Sequence, residues 1–435
     1  MAAVILLSLS VALIVVVAAP GVSIAYGTPP EANHEGYEAT QKAYIAEVQA
    51  DMVVYRHVTT DTEVLTLIPT DTSQDSVFGI SFRTIPSSDN GVAHILEHSV
   101  LDGSEKYPTK DPFNDMMRGS LQTYLNAFTY DDRTVYTVAS RNAADFSNLV
   151  SVYLDAVFRP RCVTEEGSWI LRQEGWRIEQ DEDGNLELTG VVLSEMKGVY
   201  SDPDELMLIY AQQSLFPNTS YRFDSGGLPS KISTLNHSDF VDFYEKFYHP
   251  TNAQIFLYGP LEHVEDGLKQ AHAYLEQSEV RSDIRQESRV EWQEFLHQAP
   301  VQVRKPYQSS DVDYRVMTSW LVNDRALDSI TEIAWFVVNE LLMGTPTSRL
   351  RKELQDSGYG DSVIGEGIEF MLQQWTFHVG LQGIRTEDNV FLASQLIMDT
   401  LDEIAITGFG ADEVATAMNT VEFSVSTHRE EEPCI

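Results

Sequence analysis

The chain has 435 residues, which is long for one compact domain, so we expect two or three. It carries 66 acidic against 29 basic residues, a formal net charge of −37. This charge argues against nucleic acid as a partner, because phosphate binding requires a surplus of Lys and Arg. The charge would attract basic peptides, but the spread of the acidic residues over the whole chain favours a simpler interpretation, a soluble and self-repelling surface. The two cysteines, Cys162 and Cys434, imply no disulfide framework.

Residues 1–25 form a signal-like apolar segment. Residues 2–19 contain no charged side chain, and the first Lys or Arg is Lys42. The sequence "SIA" at 23–25 suits cleavage, which favours a secretory-type signal, whereas a mitochondrial presequence would be rich in Arg. An uncleaved membrane anchor is the alternative, since about 18 apolar residues barely span a bilayer.

The segment 26–50 is predicted to be a linker, and 51–275 a first folded domain. Short apolar runs predict strands, and the turn-rich "TDTSQD" between "EVLTLIP" and "SVFGISFRTIP" predicts an antiparallel hairpin. A helix is expected over 111–121, with Asp111 as N-cap and Pro112 at its first position. The further elements predicted in this domain are a helix at 91–101, strands within 123–140, helices at 143–158, 190–200 and 238–248, and a buried strand at 252–259.

A polar stretch at 276–305 predicts a linker between domains. The pattern restarts in 306–435 with strand-like "YRVMTSWLV", the long apolar helix "ALDSITEIAWFVVNELLMG" and the strand "QQWTFHVGLQGI". Strands and helices mix in both parts without a regular βαβ alternation, which is typical of α+β domains. We therefore predict two α+β domains of similar type.

The segment "GVAHILEHSV" (91–100) contains the pattern H-x-x-E-H, the signature of inverzincin metallopeptidases. On a helix His94 and His98 share one face, so both imidazoles can reach one Zn²⁺ about 2 Å away. Glu97 lies beside them, where a carboxylate can take a proton from a zinc-activated water. The rest of the helix is apolar and predicted to be buried, and buried His and Glu side chains need partners, which a metal supplies. A surface helix with two solvated histidines is the alternative.

A catalytic zinc site needs a third protein ligand and an open coordination position. Four acidic residues are candidates for this ligand: Asp102, Glu174, Glu187 and Glu195. Glu195 lies in the apolar run "GVVLSEMKGV", which makes it attractive, but spacing alone does not choose among the four.

Several sequence blocks, between about residue 50 and about residue 424, resemble the presequence protease branch of the pitrilysin-type zinc metallopeptidases. The blocks are "GVAHILEHSVLDGSEKYPTKDPFNDMMRGSLQTYLNAFTYDDRTVYTVAS", "LVSVYLDAVFRPRC", "QEGWRIE", "GVVLSEMKGVYSDPDE", "DSGGLPSKI", "FYHPTNAQIFLYG" and "AMNTVEFSV". The resemblance implies that His94 and His98 bind zinc, that Glu195 is the third ligand, and that Glu97 is the general base.

The resemblance also implies a fold and a substrate. The fold would be two pitrilysin-like, or mitochondrial-processing-peptidase-like, α+β domains, the N-terminal half of a two-bowl enzyme whose catalytic domain spans 51–275. Unfolded peptides such as cleaved targeting peptides, basic ones among them, would add to "LNAFT" as an edge strand, with Asn126 and Ala127 lining the cleft. A mitochondrial or plastid location would follow, in conflict with the secretory-type N-terminus.

Family members are about twice this length, and their second half supplies an Arg and a Tyr that stabilise the oxyanion. Residues 426–435 do not resemble the helical hinge that joins the halves, so we expect the second domain, 306–435, to be truncated and the C-terminal half to be missing. Loss of one oxyanion donor costs on the order of 100-fold or more in rate. A catalytically weak or inactive peptide-binding fragment of the same fold is therefore the alternative function, and a protein tethered to a membrane by its N-terminus is a third.

Overall fold

The structure, a computed structural model, describes residues 34–46, 48–72, 75–110, 112–181, 183–295, 302–307 and 313–427. The signal-like segment 1–25, the predicted N-cap Asp111 and Cys434 lie outside these residues. Within them, no helix is both long enough and apolar enough to cross a bilayer. Helices and strands mix along the chain as predicted, and the α+β class is confirmed.

One mixed sheet organises the first part of the described chain. Its order is β1-β2-β3-β9-β4-β6-β5, in which β3 and β9 are parallel and the other neighbours antiparallel, while β7 and β8 form a separate hairpin. Within the described residues β5 is thus an edge strand, as the resemblance implied for "LNAFT". The strands are β1 (Tyr37–Ile45), β2 (Ala50–His57), β3 (Glu63–Pro69), β4 (Ser76–Arg83), β5 (Gln122–Thr129), β6 (Arg133–Ser140), β7 (Arg177–Gln180), β8 (Leu186–Thr189) and β9 (Ala253–Tyr258).

The predicted hairpin of β3 and β4 is wrong, because β9 lies between them. β9 runs parallel to β3 on one side and antiparallel to β4 on the other. All of its residues except Gln254 are buried. A buried strand must satisfy its backbone groups along both edges, and β9 does so only with a partner on each side. This long-range pairing prevails over the local turn signal in "TDTSQD".

Both predicted linkers contain regular structure. Within 26–50, residues 37–45 form β1, which pairs with β2 along its length. Its first residue, Tyr37, is buried, and the Tyr37 hydroxyl donates to the carbonyl of Leu268 at 3.0 Å. The polar residues that suggested a linker, such as Glu38 and Thr40, lie on the exposed side of the strand. Within 276–305, residues 282–287 form a short helix anchored by the buried Ile284.

Helices cover one face of the large sheet and enclose the main core. α1, α3, α8 and α9 supply apolar side chains that pack against the inner sides of the strands. The helices of this part are α1 (Val92–Val100), α2 (Pro112–Gly119), α3 (Ala143–Phe158), α4 (Trp169–Glu174), α5 (Val191–Val199), α6 (Pro203–Leu215), α7 (Pro229–Ile232), α8 (His237–Phe247), α9 (Leu261–Leu275) and α10 (Ser282–Glu287). α1 lies within this core, and that placement positions the site described below.

The second part of the described chain has its own sheet and core. β10 (Tyr314–Leu321), β11 (Ser362–Glu369) and β12 (Thr376–Ile384) form an antiparallel sheet in the order β10-β12-β11. The helices are α11 (Ser329–Asn339), continued by a π-helical turn at Glu340–Gly344, α12 (Arg349–Asp356), α13 (Glu387–Thr407) and α14 (Ala411–Thr427). Its buried apolar residues form a cluster separate from the main core.

Candidate active site

Helix α1 presents its two histidines toward solvent and buries the rest of its length. Seven of its nine residues are buried, whereas the side chains of His94 and His98 are 18% and 23% exposed. The N-cap residue that precedes the helix is Gly91, whose φ of 69° is left-handed. A Cβ on Gly91 would lie 2.7 Å from the carbonyl oxygen of Gly226, so only glycine allows this close approach. The burial predicted from the apolar sequence is confirmed.

Glu195, on α5, brings a carboxylate oxygen to both histidines. Its Oε2 lies 3.5 Å from Nε2 of His94 and 3.6 Å from Nε2 of His98. Two ligands of a tetrahedral zinc ion, at bond lengths of about 2.0–2.1 Å, are about 3.3–3.4 Å apart. The three side chains therefore fit a zinc ion with little rearrangement. They form a group whose donor atoms lie within 4.8 Å of one another, and Glu195 is half exposed, which leaves room for a further ligand.

The other three acidic candidates do not face this point. Glu174 lies on the opposite side of His98, with Oε2 3.3 Å from Nδ1 rather than Nε2. Asp102 is buried beyond the end of α1 and Glu187 lies exposed on β8, and neither belongs to the group of three. Of the four candidates only Glu195 approaches Nε2 of both histidines, whereas Glu174 approaches the other ring nitrogen, Nδ1, of His98.

Both histidines have a hydrogen-bond acceptor on the nitrogen that faces away from Glu195. Nδ1 of His98 donates to Glu174, and Nδ1 of His94 donates to the carbonyl of Gly226 at 3.4 Å. A proton held on Nδ1 leaves the lone pair on Nε2 free for a metal. The Gly226 loop is itself held by Asp224, whose Oδ1 accepts from the amides of Gly226 and Gly227.

These orienting partners were not predicted from the sequence as parts of the site. Glu174 was considered only as a rival third ligand, and Gly226 occurs only within the block "DSGGLPSKI". The sequence did contain a signal for Glu174, because it follows the apolar Ile170 and Leu171 at helical spacing and so shares their face of the helix. Glu174 is 7% exposed there, and a buried carboxylate needs a partner. Nothing in the sequence marks the carbonyl of Gly226.

The environment shifts the pKa of the two histidines in opposite directions. Burial lowers the pKa of His94, with a smaller contribution in the same direction from His98, and so favours its neutral form. For His98 burial also acts to lower the pKa, but the hydrogen bond to Glu174 and the nearby carboxylates of Glu97 and Glu195 outweigh it and raise the pKa overall. Only a neutral imidazole binds a metal, so acid competes with zinc most strongly at His98.

Glu97 lies inside the protein beside the ligand group. It is 8% exposed, and burial raises its pKa, partly offset by His98 and by hydrogen bonds from Thr129. Thr129, the last residue of β5, donates its hydroxyl to Oε2 of Glu97 at 2.8 Å. The edge strand β5 thus ends next to this carboxylate, and Asn126 and Ala127 precede Thr129 on the same strand, half-buried.

Two sequence families match the chain. Residues 83–173 match the insulinase family (peptidase family M16), and residues 234–421 match the peptidase M16 inactive domain. The α+β fold and the H-x-x-E-H helix agree with these matches. The chain belongs to the M16, or pitrilysin-type, peptidase family, in its presequence protease branch, so the resemblance found in the sequence is confirmed.

Curated relatives support this branch. The chain is 42% identical over 401 residues to presequence protease 1, chloroplastic/mitochondrial, of Arabidopsis thaliana, an alignment that covers 91% of this chain and 36% of the relative. It is 35% identical to mitochondrial presequence protease of Danio rerio, over 81% of this chain and 34% of the relative. The chain therefore spans less than half the length of the curated relatives it matches.

Solved structures support the fold. Pitrilysin aligns with a TM-score of 0.58 at 15% identity, over 90% of this chain and 42% of that chain. A putative M16-like peptidase of Alicyclobacillus acidocaldarius aligns with a TM-score of 0.62 at 15% identity, over 88% of this chain and 85% of that chain. At these identities the likeness concerns the architecture alone.

Proposed function

We propose that the chain is the catalytic half of a zinc metalloendopeptidase that cleaves unfolded peptides. The observation that carries the proposal is the ligand group of His94, His98 and Glu195, with the buried Glu97 beside it and the end of an edge strand in contact with Glu97. A metal site, a protected carboxylate and a strand edge are what zinc-assisted peptide hydrolysis requires in one place.

Each protein side chain has a separate role in the proposed reaction. Zinc, when bound, lowers the pKa of a water toward 7 and polarises the substrate carbonyl. Glu97 accepts the proton of the attacking water and passes it to the leaving amine, and its burial keeps bulk water away from the transfer. Glu174 and the Gly226 carbonyl hold the imidazoles of His98 and His94 with Nε2 toward Glu195.

Peptides would bind as an added strand along β5, with Asn126 and Ala127 lining the cleft. The net charge of −37 supports a preference for basic peptides. Presequence proteases among the relatives support cleaved targeting peptides as the substrate class, since such peptides are unfolded and rich in Arg. Addition of a strand requires an extended peptide, so folded proteins would not be substrates.

The test compares the wild-type chain with Glu97→Gln. We expect one zinc ion per chain in both proteins, cleavage of an unstructured Arg-rich peptide by the wild type, and loss of at least 100-fold in rate in the variant. Glu166→Gln, an exposed acid, is the control for loss of one charge.

A wild-type chain that binds zinc and peptide but does not cleave, alone or mixed with a separately produced C-terminal half, would refute the catalytic proposal. That result would establish the alternative, a peptide-binding fragment of the same fold, and Glu97→Gln would then leave peptide affinity unchanged.

A further inference from the structure

The threonine at the end of β5 contacts the proposed general base directly. Thr129 is half-buried, and its Oγ1 lies 2.8 Å from Oε2 of Glu97, a good distance for a hydroxyl donating to a carboxylate. A hydrogen bond to a charged acceptor is roughly twice as strong as a neutral one. The bond therefore fixes the orientation of a side chain that otherwise has three rotatable bonds.

The same strand is the proposed binding edge for the peptide. Thr129 follows Ala127 by two residues, so both side chains point to the same face of the sheet. The strand β5 would therefore position both the peptide, along its edge, and the carboxylate of Glu97, at its end. A small movement of the strand would then shift substrate and base together rather than apart.

The turn that follows Thr129 is tied to the second part of the chain. Asp132, in the turn between β5 and β6, accepts a 2.6 Å hydrogen bond from the hydroxyl of Tyr221. The same hydroxyl accepts from the backbone amide of Gln373 at 2.9 Å. Arg133 donates to the carbonyl of Met371 at 3.3 Å. Tyr221 is 1% exposed, so the two bonds of its hydroxyl lie largely away from water, where hydrogen bonds are electrostatically stronger.

We propose that Thr129 is a positioning residue for Glu97, and that the second α+β part holds it in place through Tyr221 and Asp132. The chain of contacts runs from the loop before β12 to the hydroxyl of Tyr221, to the turn, and along β5 to the carboxylate. The second part contributes none of the four residues of the proposed zinc site. Its role here is to orient the base, which deepens the proposed function and rests on it.

The first arm of the test is kinetic. Thr129→Val removes the hydroxyl at nearly constant volume, and Thr129→Ser retains it. Since a misplacement of about 1 Å in a reacting group can cost about 100-fold, we expect Thr129→Val to lower kcat by about 10-fold to 100-fold. KM and zinc affinity should stay within twofold, because the residue binds neither substrate side chains nor metal. Thr129→Ser should restore most of kcat, and Tyr221→Phe should lower kcat by less than Thr129→Val.

Thr134→Val is the matched control. Thr134 lies opposite Thr129 on β6, and its hydroxyl shares a 2.8 Å hydrogen bond with the hydroxyl of Thr84. It should lower the thermal midpoint and leave kcat within twofold. If Thr129→Val and Thr134→Val lower kcat and the thermal midpoint in the same proportion, Thr129 is merely structural and the proposal fails. It also fails if Thr129→Ser is as slow as Thr129→Val.

The second arm does not depend on turnover. Crystal structures of the wild type, Thr129→Ser and Thr129→Val should show the Glu97 carboxylate in one place in the first two and moved by about 1 Å or more in the third. An unmoved carboxylate in Thr129→Val overturns the proposal. A wild-type chain that fails to cleave peptides would refute the proposed function, while the crystal comparison would still decide whether Thr129 orients Glu97.

Discussion

Removing the charge of Glu174 should weaken zinc binding although Glu174 lies on the Nδ1 side of His98, away from the proposed metal position. Its Oε2 accepts from Nδ1 of His98 at 3.3 Å, and its Oε1 accepts from the side-chain amide of Gln173 at 3.0 Å. The carboxylate thus fixes the ring of His98 and makes its Nε2 more basic. Glu174→Gln keeps the shape and loses the charge, so it isolates the electrostatic part of this effect.

The magnitude follows from the geometry. Loss of such an orienting partner typically costs 10-fold to 100-fold in metal affinity, and each tenfold is about 1.4 kcal/mol. The separation of 3.3 Å is slightly longer than the usual 2.7–3.2 Å for an N–H to oxygen hydrogen bond. We therefore expect a change in Kd of about tenfold for Glu174→Gln. Glu174→Ala also leaves a cavity and frees the ring, and should approach 100-fold.

The pH dependence provides an internal check. Glu174 helps to raise the pKa of His98, and a protonated His98 cannot bind zinc. Without the carboxylate this pKa falls, so protons compete less in the variant than in the wild type at acid pH. The defect of Glu174→Gln should therefore be larger at pH 8 than at pH 6.

The assay is competition for zinc against a fluorescent chelator, with Glu166→Gln as the control that removes an exposed negative charge. A Kd for Glu174→Gln within twofold of the wild type would refute the reasoning about ring orientation. An equal loss in Glu166→Gln would show that the effect is one of overall charge. A defect that grows toward acid pH would contradict the sign of the His98 argument.

Two further predictions concern the N-cap of α1 and two buried histidines elsewhere in the fold. Gly91→Ala should lower both zinc affinity and the free energy of unfolding, the latter by about 1–3 kcal/mol. The substitution forces a left-handed φ of 69° on a residue whose Cβ would lie 2.7 Å from the carbonyl oxygen of Gly226. Unchanged urea denaturation would contradict this prediction. His57 and His378 are buried, and burial lowers the pKa of each to about 4. Because the unfolded chain takes up these protons more readily, each histidine contributes stability that is complete above pH 6.5 and is lost as the pH falls from 6.5 toward 4. The free energy of unfolding falls by at most about 3 kcal/mol for each histidine. His378→Gln should therefore reduce the change in denaturation midpoint between pH 7.5 and pH 5. An unaltered pH profile would show that His378 does not titrate in this window.

The elements that were predicted correctly have a local cause. The helix over 143–158 was recognised from its apolar spacing and is found with those bounds, capped by Asn142. The strand 252–259 was recognised as buried and appears as β9. In both elements, the spacing of apolar residues within the segment itself indicates which side chains are buried in the core. The histidine helix belongs to this class too, since seven of its nine residues are buried as its apolar residues indicated.

The errors and omissions have a non-local cause. The β3–β4 hairpin failed because the partner of both strands, β9, lies far along the chain. β1 pairs with the neighbouring β2, but one of its further anchors, the Tyr37 hydroxyl bound to the Leu268 carbonyl, comes from a residue that no short window contains. Glu174 could not be separated from Glu195 as a ligand because the two approach opposite nitrogens of the same ring, a distinction that exists only in three dimensions.

The assembly of the site links metal binding to folding. Glu195 follows His98 by 97 residues, and the Gly226 carbonyl that orients His94 lies further along the chain. An unfolded chain cannot hold these groups within 4.8 Å of one another, so zinc would bind the folded state far more tightly. Binding that is confined to the folded state adds about 2.7 kcal/mol of stability when free zinc is 100 times Kd. The orienting residues Glu174, Gly91 and Asp224 then act on folding stability and on metal affinity together, whereas Thr129, whose hydroxyl contacts the proposed base and none of the proposed ligands, should alter turnover without altering metal affinity. Comparing these two groups of variants therefore distinguishes the residues that orient the proposed zinc ligands from the residue that orients the carboxylate of Glu97.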